Sequence, residues 1–253
     1  NNAIKLSCKI PRNGDLMSNV YFVCRLPDIY SHYDATSNKS YQFKWIKNIG
    51  TALIKHVSVY IGGNLIDKHY GEWLQVWSEL TLTGTQLDSY NQMVGNIPEM
   101  YDPASVSGRN DVYPTSTLDK ELNNDPDLPE DFEEINRNLF NRPPSIQGKV
   151  LYIPLAFWFC RNPGLALPLV ALQYHEVHID LELRPISDLY TLIETKIDDI
   201  NFGIRVTPNP LRIDHHISNF ILNTDPSNLD EDQISSTTPG TFTGWGLRPL
   251  LDI

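Results

Sequence analysis

The sequence predicts an all-β sandwich with short helical insertions, and three observations carry that prediction. From Val177 onward apolar and polar residues alternate. Val177, Ile179, Leu181 and Leu183 fall on one face, and His178, Asp180, Glu182 and Arg184 fall on the other, the period-two pattern of a half-buried strand. The apolar runs are short and punctuated throughout by Pro and Gly, 18 and 14 of them, so long helices are interrupted before they can form. One segment, Gly71–Thr81, switches to a clear helical period.

In chain order, Ala3–Ile10 and Met17–Leu26 read as strands joined by Pro11-Arg12-Asn13-Gly14-Asp15. Asn-Gly between apolar runs predicts a tight hairpin with the two runs paired antiparallel, because both residues tolerate positive φ. Pro27 ends the second run. Asp28–Tyr41 is polar and aromatic and reads as a loop containing the sequon pattern Asn38-Lys39-Ser40, a triplet common by chance. Trp45–Thr51 reads as a short turn or helical piece. Lys55–Ile61 alternates, and Gly62-Gly63 supplies a hairpin turn into Asn64–Tyr70. In Gly71–Thr81, Trp73, Leu74, Val76, Trp77 and Leu80 form one apolar stripe. The stripe is expected to lie buried against the β core, with Glu72, Gln75 and Glu79 facing out; a ligand platform built on the two tryptophans is the weaker alternative. A second short helix is expected over Asp88–Val94.

Gly95–Gly148 is proline-dense and rich in Asn, Asp and Ser, the composition of a functional surface loop. Within it, Asp125, Asp127, Glu130, Asp131, Glu133 and Glu134 form an acidic cluster. The ligand spacing and central Gly of a calcium loop are missing, so a solvated acidic loop is the better reading. Lys149–Arg184 is the stretch around which the chain is organised. Its two apolar runs, Leu151–Cys160 and Leu165–Leu172, flank the turn Arg161-Asn162-Pro163-Gly164 and lead into the alternating strand. Arg161 splits the run, and neither half approaches the ~20 apolar residues of a membrane span. Ile186–Ile200 is ambiguous, with a short helix over Leu189–Ile197 as one reading. Asn201–Val206 reads as a strand stopped by Pro208 and Pro210, Leu211–Leu222 as another strand, Asn223–Gly244 as loop, and Leu247–Ile253 as the opening of a strand. There is no internal repeat.

The side chains do not converge on any catalytic chemistry, and no catalytic, cofactor-binding or metal-binding residue is assigned. A net charge of −11 argues against wrapping nucleic acid, and the basic residues beside aromatics, Lys44 before Trp45 and Arg25, never make a patch. Cys8, Cys24 and Cys160 are too scattered for a disulfide framework or a zinc site. Cys8 and Cys24 could be cross-strand neighbours, which leaves one bridge open beside the preferred reading as reduced buried thiols. His175 and His178, three apart, would point to opposite faces of a strand, and His215-His216 would diverge, so neither pair can chelate one ion. His69, beside Asp67 and Tyr70, could be polarised by a carboxylate, but a polar surface or turn histidine is preferred. No nucleophile elbow, phosphate loop, dinucleotide fingerprint, His-Glu-x-x-His or Cys-x-x-Cys occurs, and adjacent acids such as Asp198-Asp199 and Glu133-Glu134 are weak evidence for catalysis.

Three blocks carry a resemblance: IPRNGDLMSNVYFVCRLP at Ile10–Pro27, WIKNIGTALIKHVSVYIGGNLIDKHYGEWLQVWSEL at Trp45–Leu80, and YIPLAFWFCRNPGLALPLVALQYHEVHIDLELR ending at Arg184. In this order they resemble the major capsid protein of the nucleo-cytoplasmic large DNA viruses. The resemblance implies a jelly-roll sandwich with short helical insertions, the first of two jelly rolls of a double jelly-roll capsid protein. It also implies homotrimers forming pseudo-hexagonal capsomers of an icosahedral double-stranded DNA virus shell, without catalysis or cofactor. The implied partners are other copies of the chain, neighbouring capsomers, and minor capsid and penton proteins; direct nucleic-acid contact is not expected, and proximity to an internal virion membrane is. The implied location is the virion, assembled in the host cytoplasm or virus factory. Residues 1–253 would be the N-terminal jelly roll, incomplete at both ends, with a surface insertion at about 95–148 and a second jelly roll after 253. Three observations motivate the truncation: Asn1 is not an initiator, the chain opens almost directly into Ala3–Ile10, which the resemblance places at the second or third strand of the first jelly roll, and Leu250-Leu251-Asp252-Ile253 starts a β pattern and stops. The competing reading is a lectin-like glycan- or receptor-binding jelly roll using loops such as Gly95–Gly148. A cupin-like metalloenzyme trails because its His-x-His pattern is missing.

Overall fold

The computed structural model describes residues 4–31, 33–34, 39–109, 111–114, 144–196, 199–209, 211–212 and 215–221. Twelve strands run through them: β1 (Ile4–Lys9), β2 (Leu16–Met17), β3 (Tyr21–Leu26), β4 (Tyr33–Asp34), β5 (Lys39–Trp45), β6 (Ile54–Ile61), β7 (Asn64–Tyr70), β8 (Lys149–Pro154), β9 (Leu167–Pro168), β10 (Val177–Leu183), β11 (Tyr190–Lys196) and β12 (Asp199–Val206). The α-helices are short: α1 (Ile49–Leu53), α2 (Gly71–Thr81), α3 (Gly84–Val94), α4 (Pro98–Tyr101) and α5 (Trp158–Arg161).

Among the described residues every strand pairing is antiparallel. One sheet has the order β1-β10-β6-β7 and a second the order β12-β11-β5-β4, with β2–β9 and β3–β8 as two-stranded ribbons. The pairings are nested: β1 with β10, β2 with β9, β3 with β8. A chain whose early strands meet its late strands in reverse order is a long antiparallel hairpin rolled on itself, the jelly-roll solution to the problem of exposed sheet edges. Residues of both four-stranded sheets and of β3 and β8 merge into one buried apolar cluster. At its centre Phe43 stacks on Tyr190 with centroids 4.8 Å apart and takes Trp45 edge-on at 4.9 Å.

The expected pairing of the first two runs does not occur. β1 pairs with β10, Ile4 opposite Leu183 through Lys9 opposite His178, while β3 pairs with β8 in a separate ribbon. Neither Asn13 nor Gly14 takes the positive φ that a type I′ hairpin requires. Hydrogen bonds explain why. Ile10 N–H donates to the Val177 carbonyl, Leu169 N–H donates to the Asp15 carbonyl, and the Arg12 guanidinium donates to the carbonyls of Gln173 and His175. The connection is bonded at Ile10, Arg12 and Asp15, on either side of Asn13-Gly14, to β10 and the segment before it, and long-range pairing overrides local turn chemistry. Cys8 therefore lies opposite Ile179 and Cys24 opposite Leu151, with no bridge between them, and all three thiols are free; Cys8 is exposed on β1 and not buried as expected, while burial pushes the Cys24 thiol up to about 12.

Where turn and strand pattern agree, the expectation holds. Gly62 and Gly63 take φ of 58° and 83° and close the β6–β7 hairpin with Ile61 opposite Asn64. β10 alternates buried and half-buried side chains along its whole length. The helix expected over Asp88–Val94 starts earlier, at Gly84, behind the capping box of Thr83 and Gln86. Three other readings are corrected. Residues 190–196 form strand β11, not a helix, because β5 needs a hydrogen-bonding partner and Thr191, Ile193 and Thr195 are β-branched. β5 begins at Lys39, inside the stretch read as loop. The described residues of 211–222 contain no strand; a 3₁₀ turn at Ile217–Phe220 drops Phe220 into the core. Asn38 lies outside the described residues.

The described flanks of the 95–148 segment belong to the core and not to a surface excursion: Met100, Pro103, Tyr113 and Ile146 are buried. A buried polar clasp holds both flanks together. Tyr113 Oη donates to the Phe43 carbonyl at 2.6 Å, so the Ser31 hydroxyl, 2.9 Å away, donates to Tyr113. Ser31 Oγ accepts from Phe43 N–H at 3.1 Å, and Ser145 Oγ accepts from Ser31 N–H at 3.0 Å. Burial drives the Tyr113 phenol far above its ordinary value, so it stays neutral and able to donate. The acidic cluster Asp125–Glu134 lies outside the described residues.

Two predictions follow from this packing. Tyr113→Phe should leave partners of the clasp unpaired in the interior and cost about 1–3 kcal/mol, read as a lower urea midpoint at unchanged m-value. The second concerns Lys44, whose ammonium lies 2.5 Å from Asp102 and, ahead of the Ser105 hydroxyl, holds that carboxyl below its ordinary 3.8. With the folded value depressed, the stabilisation is complete above the ordinary carboxylate range and is lost as pH falls through the folded value. Lys44→Met should thus cost about 1 kcal/mol or less near neutrality, the two groups being partly exposed. The gap between variant and parent should close on acidification, as measured by urea titrations across that range.

Candidate assembly surface

Among the described residues, none of those considered for chemistry assembles into a reacting constellation; Glu133, Glu134 and Asp198 lie outside them. His175 precedes β10 and lies against Gly62, where an added Cβ would meet its Nδ1 at 2.7 Å. His178 sits on β10 with Nε2 3.2 Å from Glu176. His215 is buried and His216 exposed beside a 3₁₀ turn, so they diverge without being on a strand. His69 departs from the surface reading. It faces inward on β7, is 5% exposed, holds Asp67 Oδ2 at 2.9 Å, and meets the Phe157 ring edge-on. Residues i and i+2 of a strand share a face, which is how sequence spacing placed Asp67 within reach. Among the described residues no group of three or more His, Cys, Asp or Glu could hold a metal ion, and no helix is long and apolar enough to cross a membrane.

What the fold presents is a division between ionic and apolar surface. The outer side of β1 and β10, with the adjoining part of β6, carries paired charges. Lys55 lies 2.5 Å from Glu182, with Lys5 and His56 each 3.8 Å from the same carboxylate, and Ser7 donates to Asp180. The Lys55 hydrogen bond holds Glu182 below the usual carboxylate range, while desolvation and then Lys68 push His56 down.

Two other surfaces are apolar. The first is the β3–β8 ribbon. Its inner side sends Leu26, Leu151 and Ile153 into the core, while Tyr21, Val23, Val150 and Tyr152 stand exposed on its outer side, Val23 directly opposite Tyr152. A strand apolar on both faces is one that expects cover on both. The signal was present in the uninterrupted run Tyr21-Phe22-Val23-Cys24, which breaks the period-two rule. At the end of this ribbon a groove of about 490 Å³ runs between Tyr21 and Pro154 on one side and Leu82, Tyr90 and Met93 on the other.

The second apolar surface is α2, where the expected burial is corrected. Leu74 is 2% exposed, but Trp73 is 38% and Leu80 75% exposed, and Val76 is exposed as well. The buried positions are Gly71, Leu74 and Ser78. A Cβ on Gly71 would collide with the carbonyls of Thr51 and Ile54, so α2 approaches its neighbours too closely for large side chains. Counting only apolar residues missed the small ones that face inward. Trp77 is half-covered, with the Arg161 guanidinium 4.4 Å from its ring centroid and Trp73 at 5.9 Å. Leu65, Ile66 and Tyr70 of β7 are exposed too. Tryptophan, tyrosine and arginine are the residues that dominate binding energy at protein interfaces, and exposed apolar patches mark such interfaces. This geometry can bury area against another protein surface.

Residues 1–205 match the family model described as the N-terminus of the major capsid protein. Over 189 residues the chain is 36% identical to "Probable capsid protein 4" of Acanthamoeba polyphaga mimivirus, covering 74% of this chain and 29% of that protein. Over 195 residues it is 37% identical to the major capsid protein of Phaeocystis pouchetii virus, covering 73% and 32% respectively. Among solved structures, PBCV-1 VP54 aligns at 25% identity with a TM-score of 0.45, covering 71% of this chain and 30% of that one. The chain thus spans about a third of the length of the relatives it matches. On the family match over residues 1–205 and the identities of 36% and 37%, this chain belongs to the major capsid protein family of the nucleo-cytoplasmic large DNA viruses.

Proposed function

We propose that this chain is the N-terminal jelly roll of a major capsid subunit, resident in the virion, whose full-length form assembles into homotrimeric capsomers of an icosahedral shell. The match of residues 1–205 to the family is the observation that supports it most directly. Its role is structural and not enzymatic, with no cofactor. Its partners are other copies of itself, neighbouring capsomers, and minor capsid and penton proteins. A second jelly roll follows residue 253 in the natural protein. The surfaces described above support an assembly role: a paired-charge face that needs no cover, and apolar faces on the β3–β8 ribbon and on α2 that do. Trimeric closure makes each seam the same heterologous contact, so two different apolar faces per subunit suit it.

The test is native mass spectrometry and sedimentation of the full-length natural protein. A trimer is expected; a protein that stays monomeric at micromolar concentration would overturn the proposal. Leu80→Glu on α2, where the side chain is 75% exposed, and Tyr152→Glu, made separately, replace exposed side chains and should each change stability by only about 0.5 kcal/mol. Each should nonetheless shift the protein toward monomer. If both variants trimerise like the parent, the apolar faces are not the seams. Deleting Asn123–Asn141 should preserve cooperative unfolding, because the clasp of Ser31, Tyr113 and Ser145 lies outside the deleted residues, while altering the contacts between capsomers. Loss of folding in that deletion would assign those residues to the core.

A further inference from the structure

Asn13-Gly14 is the only Asn-Gly step in the sequence. It is left without the hairpin role that its chemistry suits. Both residues are exposed in a bend between β1 and β2, and a Cβ built on Gly14 would have nothing within 4 Å. The Asn13 side-chain amide has no hydrogen-bond partner among the described residues, and Gly14 N–H makes no backbone hydrogen bond there. Other asparagines are held. Asn96 Nδ2 donates to Asn91 Oδ1 at 3.0 Å.

We propose that Asn13 is a site of spontaneous backbone modification, converting to aspartate and isoaspartate in the folded protein. Base removes the Gly14 amide proton, and the resulting nitrogen attacks Asn13 Cγ. The new N–Cγ bond closes a five-membered succinimide as the Cγ–Nδ2 bond breaks and ammonia leaves with the proton. Water then opens the ring at either carbonyl, giving aspartate or the β-linked isoaspartate. The sum is one water gained and one ammonia lost, with no oxidant or reductant. Glycine at the second position matters because it has no Cβ to hinder the attack and the widest choice of backbone angles. A fold protects such a step by fixing the backbone or engaging the amide; the bend at residues 12–15 does neither at Asn13 and Gly14. The product carries a new negative charge next to Arg12, whose guanidinium ties this connection to the carbonyls of Gln173 and His175. In the isoaspartate form the connection also gains a backbone carbon. The modification therefore acts on the contact that joins the β1–β2 connection to the segment before β10, and it accumulates with the age of the protein.

The experiment incubates the full-length protein at physiological temperature and mildly alkaline pH, beside a free peptide of residues 10–17. Peptide mapping reads amide-to-acid conversion, and a protein isoaspartyl methyltransferase reads the β-linked form. Loss of the Asn13 amide in the folded protein at the rate of the peptide is expected, slower at mildly acidic pH, with Asn91 and Asn96 intact. Gly14→Ala, placed in open space, should slow the loss several-fold. An Asn13 that keeps its amide after the peptide has converted would overturn the proposal, and so would conversion spread equally over the held asparagines. The outcome is independent of whether the chain forms a capsid.

Discussion

Strand β10 has partners on both edges, and most of the fold depends on that double pairing. It is paired with β1 from Ile4 opposite Leu183 to Lys9 opposite His178, and with β6 from Val177 opposite Ile61 to Leu183 opposite Ile54. Because its side chains alternate strictly, one register alone places Val177, Ile179, Leu181 and Leu183 in the core and leaves the charged set outside; a slip of one residue would exchange the two. Holding β1 there draws the following connection onto the segment before β10, which sets β2 against β9 and β3 against β8. The nested order is thus a consequence of one strand with an unambiguous inside and outside.

A rolled antiparallel chain must carry its long connections out from an interior that is closed to water. The clasp of Tyr113, Ser31, Ser145 and the Phe43 backbone is how this protein manages it. Polar groups buried there satisfy one another, and the two flanks of a long connection are pinned to β5 and to the residues after β3. The Ile29–Ile146 bridge adjoins the clasp and extends the line of the β3–β8 ribbon. A connection fixed in this way at its base can vary in content without the strain reaching the sheets.

The outer surfaces differ in kind, and the difference bears on assembly more than any single residue does. Over the β1-β10-β6-β7 sheet the carboxylates of Glu182, Glu176 and Asp180 are each matched by a lysine or a hydroxyl, a surface stable against water. Over the β3–β8 ribbon and along α2, tyrosine, valine and tryptophan face outward with no such compensation. Burying apolar area is favourable by roughly 25 cal/mol per Å², so these faces favour association while the ionic face does not.

Sequence alone determined the all-β class, the β6–β7 hairpin, the position of α2, the in-and-out sense of β10, and the absence of known catalytic motifs, because each rests on a period or a turn contained within a few neighbouring residues. The capsid family was also legible, in the blocks at Ile10–Pro27, Trp45–Leu80 and Tyr152–Arg184. Only the tertiary structure decided that Asn13-Gly14 makes no hairpin, that residues 190–196 are a strand, that His69 is buried, and that Trp73, Val76 and Leu80 face outward. Those outcomes depend on partners far away in the chain: β1 is paired along β10 from Ile4 to Lys9, β5 offers an edge that an extended 190–196 fills, and Gly71 lets α1 approach α2 from the side where a tryptophan would not fit. Local pattern records what a segment can do by itself, and long-range packing selects among those options by the area it buries and the hydrogen bonds it completes.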